Sequence, residues 1–139
     1  ASKTEWVPLW EELGFVEKYL ALEKARFEDR LKVVIDVPER LKNRLVPPMI
    51  LQPLVENSIK HGIANLIQGG QVLIRVRQQG QQLAFELADT GEGVKDKKLL
   101  FRSDGVGLKN TRLRLEKQYG SHLHISDNKP QGLKISFVI

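Results

Sequence analysis

Two pairs of glycines constrain this chain more than any other feature. The first pair lies in Asp89-Thr90-Gly91-Glu92-Gly93, directly after a run of alternating apolar residues at 82–89. The second pair lies in Gly105-Val106-Gly107, directly before a helix-like run at 108–119. Glycine has no Cβ, so it adopts backbone conformations closed to other residues and lets the main chain approach a ligand closely. Between one predicted strand and one predicted helix, the chain therefore has two segments whose backbone a ligand can approach closely. A carboxylate, Asp89, stands at the end of the strand.

This arrangement has the chemistry that a nucleotide requires. A helix beginning near Gly107 offers free N–H groups to phosphate, because the first N–H groups of a helix have no partner within it. Asp89 continues the apolar face of its strand, where a carboxylate is costly unless donors reach it, and the exocyclic amine of adenine is such a donor. Alternatively, the glycines only build turns and Asp89 caps the turn at Gly91. Both interpretations stay open on the pattern alone.

The composition narrows the class of protein. With 139 residues, 41% of them hydrophobic and 28% charged, the chain is long enough for one domain with its own core. No apolar run approaches the roughly 20 residues of a membrane span, the first residues are polar and cysteine is absent, which favours a cytoplasmic location. The net charge of +5 suits a polyanion, but no aromatic stacking pattern supports nucleic acid as that partner. We expect a single domain over residues 1–139 that does not bind nucleic acid.

Hydrophobic periodicity predicts an α+β fold. Helical spacing marks three segments, alternation marks the strands, and the last four strands form two hairpins. The predicted helices span about 11–27, 48–63 and 108–119, the strands about 31–37, 71–79, 82–89, 122–127 and 133–139, and the loops 38–44 and 90–106. Pro53 lies inside the second helix and should bend it or reset its first turn. This order of elements is typical of a two-layer sandwich with helices over one face of a mixed sheet.

The second predicted helix carries its own candidate site. Asn57, Lys60 and His61 share one helical stripe, opposite a mostly apolar one. The carbonyl oxygen of Asn57 is a ligand type that Mg²⁺ accepts alongside water and phosphate, and Lys60 supplies a positive charge for a phosphate. The alternative is an ordinary amphipathic helix with a polar outer surface.

Together these segments resemble the ATP-binding domain of sensor histidine kinases, in the gyrase–chaperone–histidine kinase–MutL superfamily. Residues 51–62, read as LQPLVENSIKHG, resemble the N box of its LytS-type branch almost letter for letter. Asp89-x-Gly91-x-Gly93 resembles the G1 box, and Gly105-x-Gly107-Leu108-x-Asn110 resembles the G2 box. The segments 7–13 and 23–27 also resemble that branch, so the resemblance covers nearly the whole chain.

The resemblance implies a Bergerat-type α/β sandwich, with about three helices on one face of a mixed sheet, that binds ATP and Mg²⁺. Asn57 would hold Mg²⁺, Lys60 and His61 would line the phosphate side, and Asp89 would accept from the adenine amine. Residues 94–104 would form a lid. The remaining residues implied to shape the ATP pocket are Gly91, Gly93, Gly105, Gly107, Leu108 and Asn110.

The resemblance also implies partners, because the acceptor histidine motif of such kinases is absent from this chain. The γ-phosphoryl group would pass to a histidine on a separate helical dimerisation domain, toward which residues 1–10 would lead, and then to a response regulator. The parent receptor would be membrane-bound, with this part in the cytoplasm. The alternative is a nucleotide-binding sensor or scaffold module without kinase activity.

Two positions depart from the family pattern. Pro53 stands where hydrolysing relatives carry a glutamate, so strong ATPase activity is not expected, and Glu56 is the nearest candidate catalytic carboxylate. Leu133 stands where many members carry a threonine that helps to hold a water at adenine. We therefore expect weaker adenine binding than in those members.

Overall fold

The computed structural model describes residues 5–101 and 106–139. Among these residues, five strands form one mixed sheet and two very short strands form a second. The strands are β1 (Val7–Pro8), β2 (Leu31–Asp36), β3 (Leu45–Val46), β4 (Gly70–Gln79), β5 (Gln82–Asp89), β6 (His124–Asp127) and β7 (Leu133–Val138). The large sheet has the order β2-β4-β5-β7-β6, in which β2 runs parallel to β4 and the other pairs are antiparallel. The expected α/β sandwich with a mixed sheet is confirmed.

In the described part of the chain, three α-helices pack on one face of the sheet. They are α1 (Leu9–Phe27), α2 (Gln52–Asn57) and α3 (Val106–Tyr119), and a π-helix (Ser58–Ile63) continues directly from α2. Short 3₁₀ turns lie at Glu28–Arg30, Glu39–Leu41 and Lys97–Phe101. None of the described helices is both long enough and apolar enough to cross a membrane.

The core lies between the helices and one face of the sheet. Alternate residues of the central strands point into it, as the period of two along a strand requires. Phe85 of β5 and Phe137 of β7 are directly paired and stack with ring centroids 4.8 Å apart. On the outer face, Asp36 binds Arg75 and Arg77 (3.0 and 2.7 Å), and these two guanidinium groups, Arg77 foremost, lower the pKa of its carboxyl. The alternation along each strand therefore places apolar side chains on the face toward the helices and charged side chains on the opposite face.

The structure differs from the sequence-based prediction chiefly at the second helix and at two short strands. The second helix begins at Gln52 rather than near 48, because Pro53 fits only the first turn of a helix. Its second half is a π-helix, a form that often occurs at functional sites. The segment around Val7, predicted as part of an N-terminal arm, pairs as an antiparallel strand with the segment around Leu45, for which no element was predicted.

Candidate functional site

The site is centred on Asp89, the last residue of β5, whose side chain is 3% exposed. Its Oδ1 atom accepts hydrogen bonds from the backbone N–H groups of Gly91 (2.8 Å) and Leu133 (3.3 Å). Among the described residues, Oδ2 has no hydrogen-bond donor. One oxygen thus caps the turn at Gly91, as one of the two interpretations of Asp89 predicted, while the other oxygen has no donor in the described part of the chain; the prediction that it binds adenine stays a prediction.

Burial raises the pKa of the Asp89 carboxyl above its usual 3.8, and the hydrogen bonds from Gly91 and Leu133 oppose that rise only in part. The pKa in the folded protein therefore exceeds that in the unfolded chain. Asp89 then favours folding below about pH 4, and this contribution is lost as the pH rises through the raised pKa. At neutral pH the unliganded protein bears the cost of a buried charge.

We therefore expect Asp89→Asn to raise the melting temperature of the ligand-free protein at pH 7. The asparagine keeps an oxygen for Gly91 and Leu133 but carries no charge. A gain of 1 kcal/mol would correspond to about 4 °C in a chain of this size. The gain should shrink as the pH falls toward 4, and calorimetry over this range would measure it. A variant less stable than wild type at every pH would contradict the assigned cause.

The π-helix touches the G1 turn through a contact between two glycines. A Cβ at Gly91 would overlap the backbone of Gly62, and the Glu92 N–H donates to the Gly62 carbonyl oxygen (2.9 Å). A Cβ at Gly62 would in turn lie 3.1 Å from Asp89 Oδ1. The absence of side chains here lets the Asn57-bearing helix reach the carboxylate.

The β6–β7 connection closes the other side of Asp89. Gly132 has φ +109°, and a Cβ there would overlap the carbonyl oxygen of Asp89. The Asn128 side-chain amide donates to that same carbonyl oxygen (2.7 Å). Gly93 lies against Gly132, with room for only ordinary contact between them. The Leu133 side chain is buried in the core, and only the backbone N–H of this residue contacts the Asp89 carboxylate. Leucine therefore offers no hydroxyl group at the position where many family members carry a threonine.

Two buried polar side chains on the α2–π-helix segment have no hydrogen-bond partner in the described part of the chain. Asn57, the last residue of α2, is 8% exposed, and its side-chain amide is unpaired there. Ser58 is 1% exposed, and its hydroxyl has no hydrogen-bond partner among the described residues, although it lies near enough to Asp89 to help to lower the pKa of that carboxyl. Buried polar atoms are normally paired, so the Ser58 hydroxyl is a position where a ligand or water would complete the bonding, whereas the amide atoms of Asn57 are not fully buried and can reach solvent or a ligand.

The other predicted residues of this segment differ in their surroundings. Lys60 and His61 are exposed on the π-helix, where they are accessible to a phosphate. Glu56 accepts a hydrogen bond from Gln52 (3.4 Å) and lies near Tyr19 of α1. Burial chiefly raises the pKa of the Tyr19 hydroxyl, with Glu23 and Glu56 adding to it. Glu56 thus takes part in the contact between α1 and α2.

The predicted lid and G2 box are described in part. Lys97 in the lid binds Asp127 of β6 (2.7 Å), and Lys97 chiefly lowers the pKa of the Asp127 carboxyl. Gly107 lies in the first turn of α3, Leu108 is buried and Asn110 is exposed. Gly105 and the end of the lid lie outside the described residues.

The structure adds three residues that the sequence-based site lacked, namely Ser58, Gly62 and Gly132. For Ser58 a signal was present, because it is a polar residue within the apolar stripe of its helix. Gly62 and Gly132 have no local signal, since the need for glycine arises from contacts with residues distant in sequence.

Known proteins share the sequence pattern and the fold of this chain. The family model described as "Histidine kinase-, DNA gyrase B-, and HSP90-like ATPase" matches residues 46–139. The sensor histidine kinase BtsS of Escherichia coli K12 is 38% identical over 123 residues, which are 88% of this chain and 21% of that protein. The sensor protein LytS of Bacillus cereus is 33% identical over 144 residues, covering 96% of this chain and 24% of that protein. The chain thus spans between a fifth and a quarter of the length of these relatives.

Solved structures share the fold at low sequence identity. The catalytic domain of histidine kinase ThkA has a TM-score of 0.76 at 14% identity, covering 99% of this chain and 97% of that one. The histidine kinase domain of the Erythrobacter litoralis EL346 blue-light activated kinase has a TM-score of 0.73 at 19% identity, covering 100% and 64%. The fold is that of histidine kinase catalytic domains, and the resemblance to sensor kinases including LytS is confirmed. The chain belongs to the family of histidine kinase-, DNA gyrase B- and HSP90-like ATPases.

Proposed function

We propose that this chain binds Mg-ATP and catalyses transfer of the γ-phosphoryl group to a histidine on a separate helical domain. The observation that carries this proposal is a buried carboxylate, one of whose oxygens has no donor among the described residues, set against the helical segment that bears Asn57, whose side chain has no partner in that part of the chain either. A carboxylate selects an amino group such as that of adenine, and an amide oxygen is an acceptable ligand for Mg²⁺. Family membership and sensor kinase relatives support the same assignment.

The proposed roles follow from chemistry and placement. Asp89 Oδ2 would accept from the adenine amine, and the Ser58 hydroxyl would bind the same group or a water beside it. Asn57 would bind Mg²⁺, and Lys60 and His61 would contact phosphate. The rest of the proposed ATP site is Gly91, Gly93, Gly105, Gly107, Leu108 and Asn110. Positioning and charge neutralisation carry most of phosphoryl transfer, so the domain needs little covalent chemistry of its own.

The proposed setting is a two-component sensor kinase. Residues 1–139 would act as one catalytic domain on the cytoplasmic side of a membrane-bound receptor, with residues 1–10 leading to the histidine-bearing dimerisation domain. A response regulator would take the phosphoryl group from that histidine. Glu56 is the proposed catalytic carboxylate by position alone, because its side chain accepts a hydrogen bond from Gln52 and lies near Tyr19 of α1.

The second candidate is a nucleotide sensor or scaffold without transfer activity. Pro53 favours it, because the position carries no carboxylate to activate a nucleophile. The two candidates differ in one product, the phosphorylated histidine.

Incubation of this chain with γ-labelled ATP, Mg²⁺ and the histidine-bearing helical domain of a sensor kinase relative would distinguish the kinase from the sensor or scaffold. We expect label on that domain, lost when its acceptor histidine is replaced and when Mg²⁺ is removed. The full-length relative from which the helical domain is taken serves as the positive control. If that relative is labelled under the same conditions and this chain binds ATP without labelling the helical domain, the result favours the sensor or scaffold.

A further inference from the structure

A buried glutamate on α1 holds the segment that leads into α2. Glu12 is 1% exposed, and its carboxylate accepts three backbone hydrogen bonds. Oε1 accepts from the Met49 N–H (2.8 Å), and Oε2 accepts from the N–H groups of Ile50 and Leu51 (both 2.9 Å). Leu51 is the N-cap residue of α2, so the carboxylate satisfies donors at the start of the helix that bears Asn57.

The same segment is held from its other side by α3. The Arg114 guanidinium donates to the carbonyl oxygens of Pro48 and Met49. Met49 has φ +58°, a left-handed conformation that costs a non-glycine residue about 1–2 kcal/mol. Such a conformation persists only where the surroundings impose it. Glu12 and Arg114 therefore hold the segment 48–51 in a conformation that it would not adopt alone.

These contacts connect α1 to the candidate nucleotide site through the segment 48–51. The segment 48–51 enters α2 without an intervening loop, and Ile50, Leu51, Leu54 and Val55 are fully buried. Asn57 lies less than two turns beyond Leu51. A shift of the Glu12 carboxylate therefore displaces the start of α2, and Asn57 with it.

We propose that Glu12 is a positioning residue for nucleotide binding, which couples the placement of α1 to the affinity for Mg-ATP through the three amides of Met49, Ile50 and Leu51. This inference rests on the proposed function. Because linkage is reciprocal, a ligand that favours the held arrangement of α2 must also stabilise the three hydrogen bonds to Glu12.

The test uses a non-hydrolysable ATP analogue with Mg²⁺ and two isosteric variants. Glu12→Gln replaces one acceptor oxygen with an NH₂ group that opposes the backbone donors, and Glu17→Gln makes the same change at an exposed position of α1. Calorimetric titration should show roughly tenfold weaker binding for Glu12→Gln, as is common for residues that orient a metal ligand. Glu17→Gln should bind as wild type does.

Amide hydrogen exchange supplies a readout that a purely structural role would not change. In the wild type, the Mg-bound analogue should slow exchange of the Met49, Ile50 and Leu51 amides by at least about fivefold, the lower end of ordinary coupling between sites. This measurement decides the question even if Glu12→Gln does not fold. Unchanged exchange at these amides, or unchanged affinity in a folded Glu12→Gln variant, refutes the role of Glu12 and leaves the proposed function standing. Failure of the wild type to bind the analogue overturns the proposed function and the inference together.

Discussion

Replacing Asn57 with alanine should remove the Mg²⁺-dependent part of nucleotide binding and leave the fold intact. The side chain is 8% exposed and unpaired among the described residues, so its loss breaks no hydrogen bond within that part of the protein. Alanine is also the better helix former. If the amide oxygen binds Mg²⁺, we expect affinity for the Mg-bound ATP analogue to fall roughly 100-fold, a loss of about 2.7 kcal/mol.

Two comparisons make this result specific. Affinity measured without Mg²⁺ should be nearly the same in Asn57→Ala and wild type, because the adenine contact at Asp89 is retained. Asn43→Ala, a change at an exposed asparagine away from the helix, should alter neither value. Unchanged Mg-ATP affinity in the Asn57 variant would refute its assignment as the metal ligand.

Replacing Gly132 with alanine should have the largest effect on stability. The new Cβ would overlap the Asp89 carbonyl oxygen, at a φ of +109° that side chains rarely adopt. The backbone conformation costs about 1–2 kcal/mol and the overlap about 1–3 kcal/mol more. We expect a loss of roughly 3 kcal/mol in the free energy of unfolding, measured by urea denaturation, together with weaker nucleotide binding because Asp89 is displaced.

Gly80→Ala is the matched control for this prediction. Gly80 also has positive φ, +62°, but a Cβ there meets no atom of the described residues within 4 Å. This variant bears the conformational cost without the overlap, so it should lose about 1 kcal/mol and bind nucleotide normally. Equal losses at the two positions would show that the close approach of Gly132 to Asp89 contributes nothing.

The sequence predicted the parts of the fold that depend on local periodicity. The hairpin of β4 and β5 follows from apolar spacing, as does α1, which ends at the predicted residue and begins two residues before the predicted start. The place of Asp89 at the end of a strand also follows from this alternation. The pairing of β1 with β3 was missed, because two-residue strands carry too few positions to show alternation.

The parts of the site that the sequence did not predict depend on contacts across the chain. Glu12 lies on the same stripe of α1 as Leu9, Leu13 and Val16, which marks it as buried, but its partners lie 37–39 residues away. The π-helix likewise has no signal in residue type. It brings Gly62 against Gly91, and that contact depends on the turn after β5.

We propose that Asp89 and Asn57 together form a Mg-ATP site. The decisive measurement is calorimetric titration of a non-hydrolysable ATP analogue, with and without Mg²⁺, into wild type and Asp89→Asn. We predict saturable binding by the wild type, strengthened by Mg²⁺, and weaker binding by Asp89→Asn because an amide NH₂ replaces the oxygen that would accept from adenine. Absence of binding by folded wild-type protein, or equal affinity in the two proteins, would contradict this assignment.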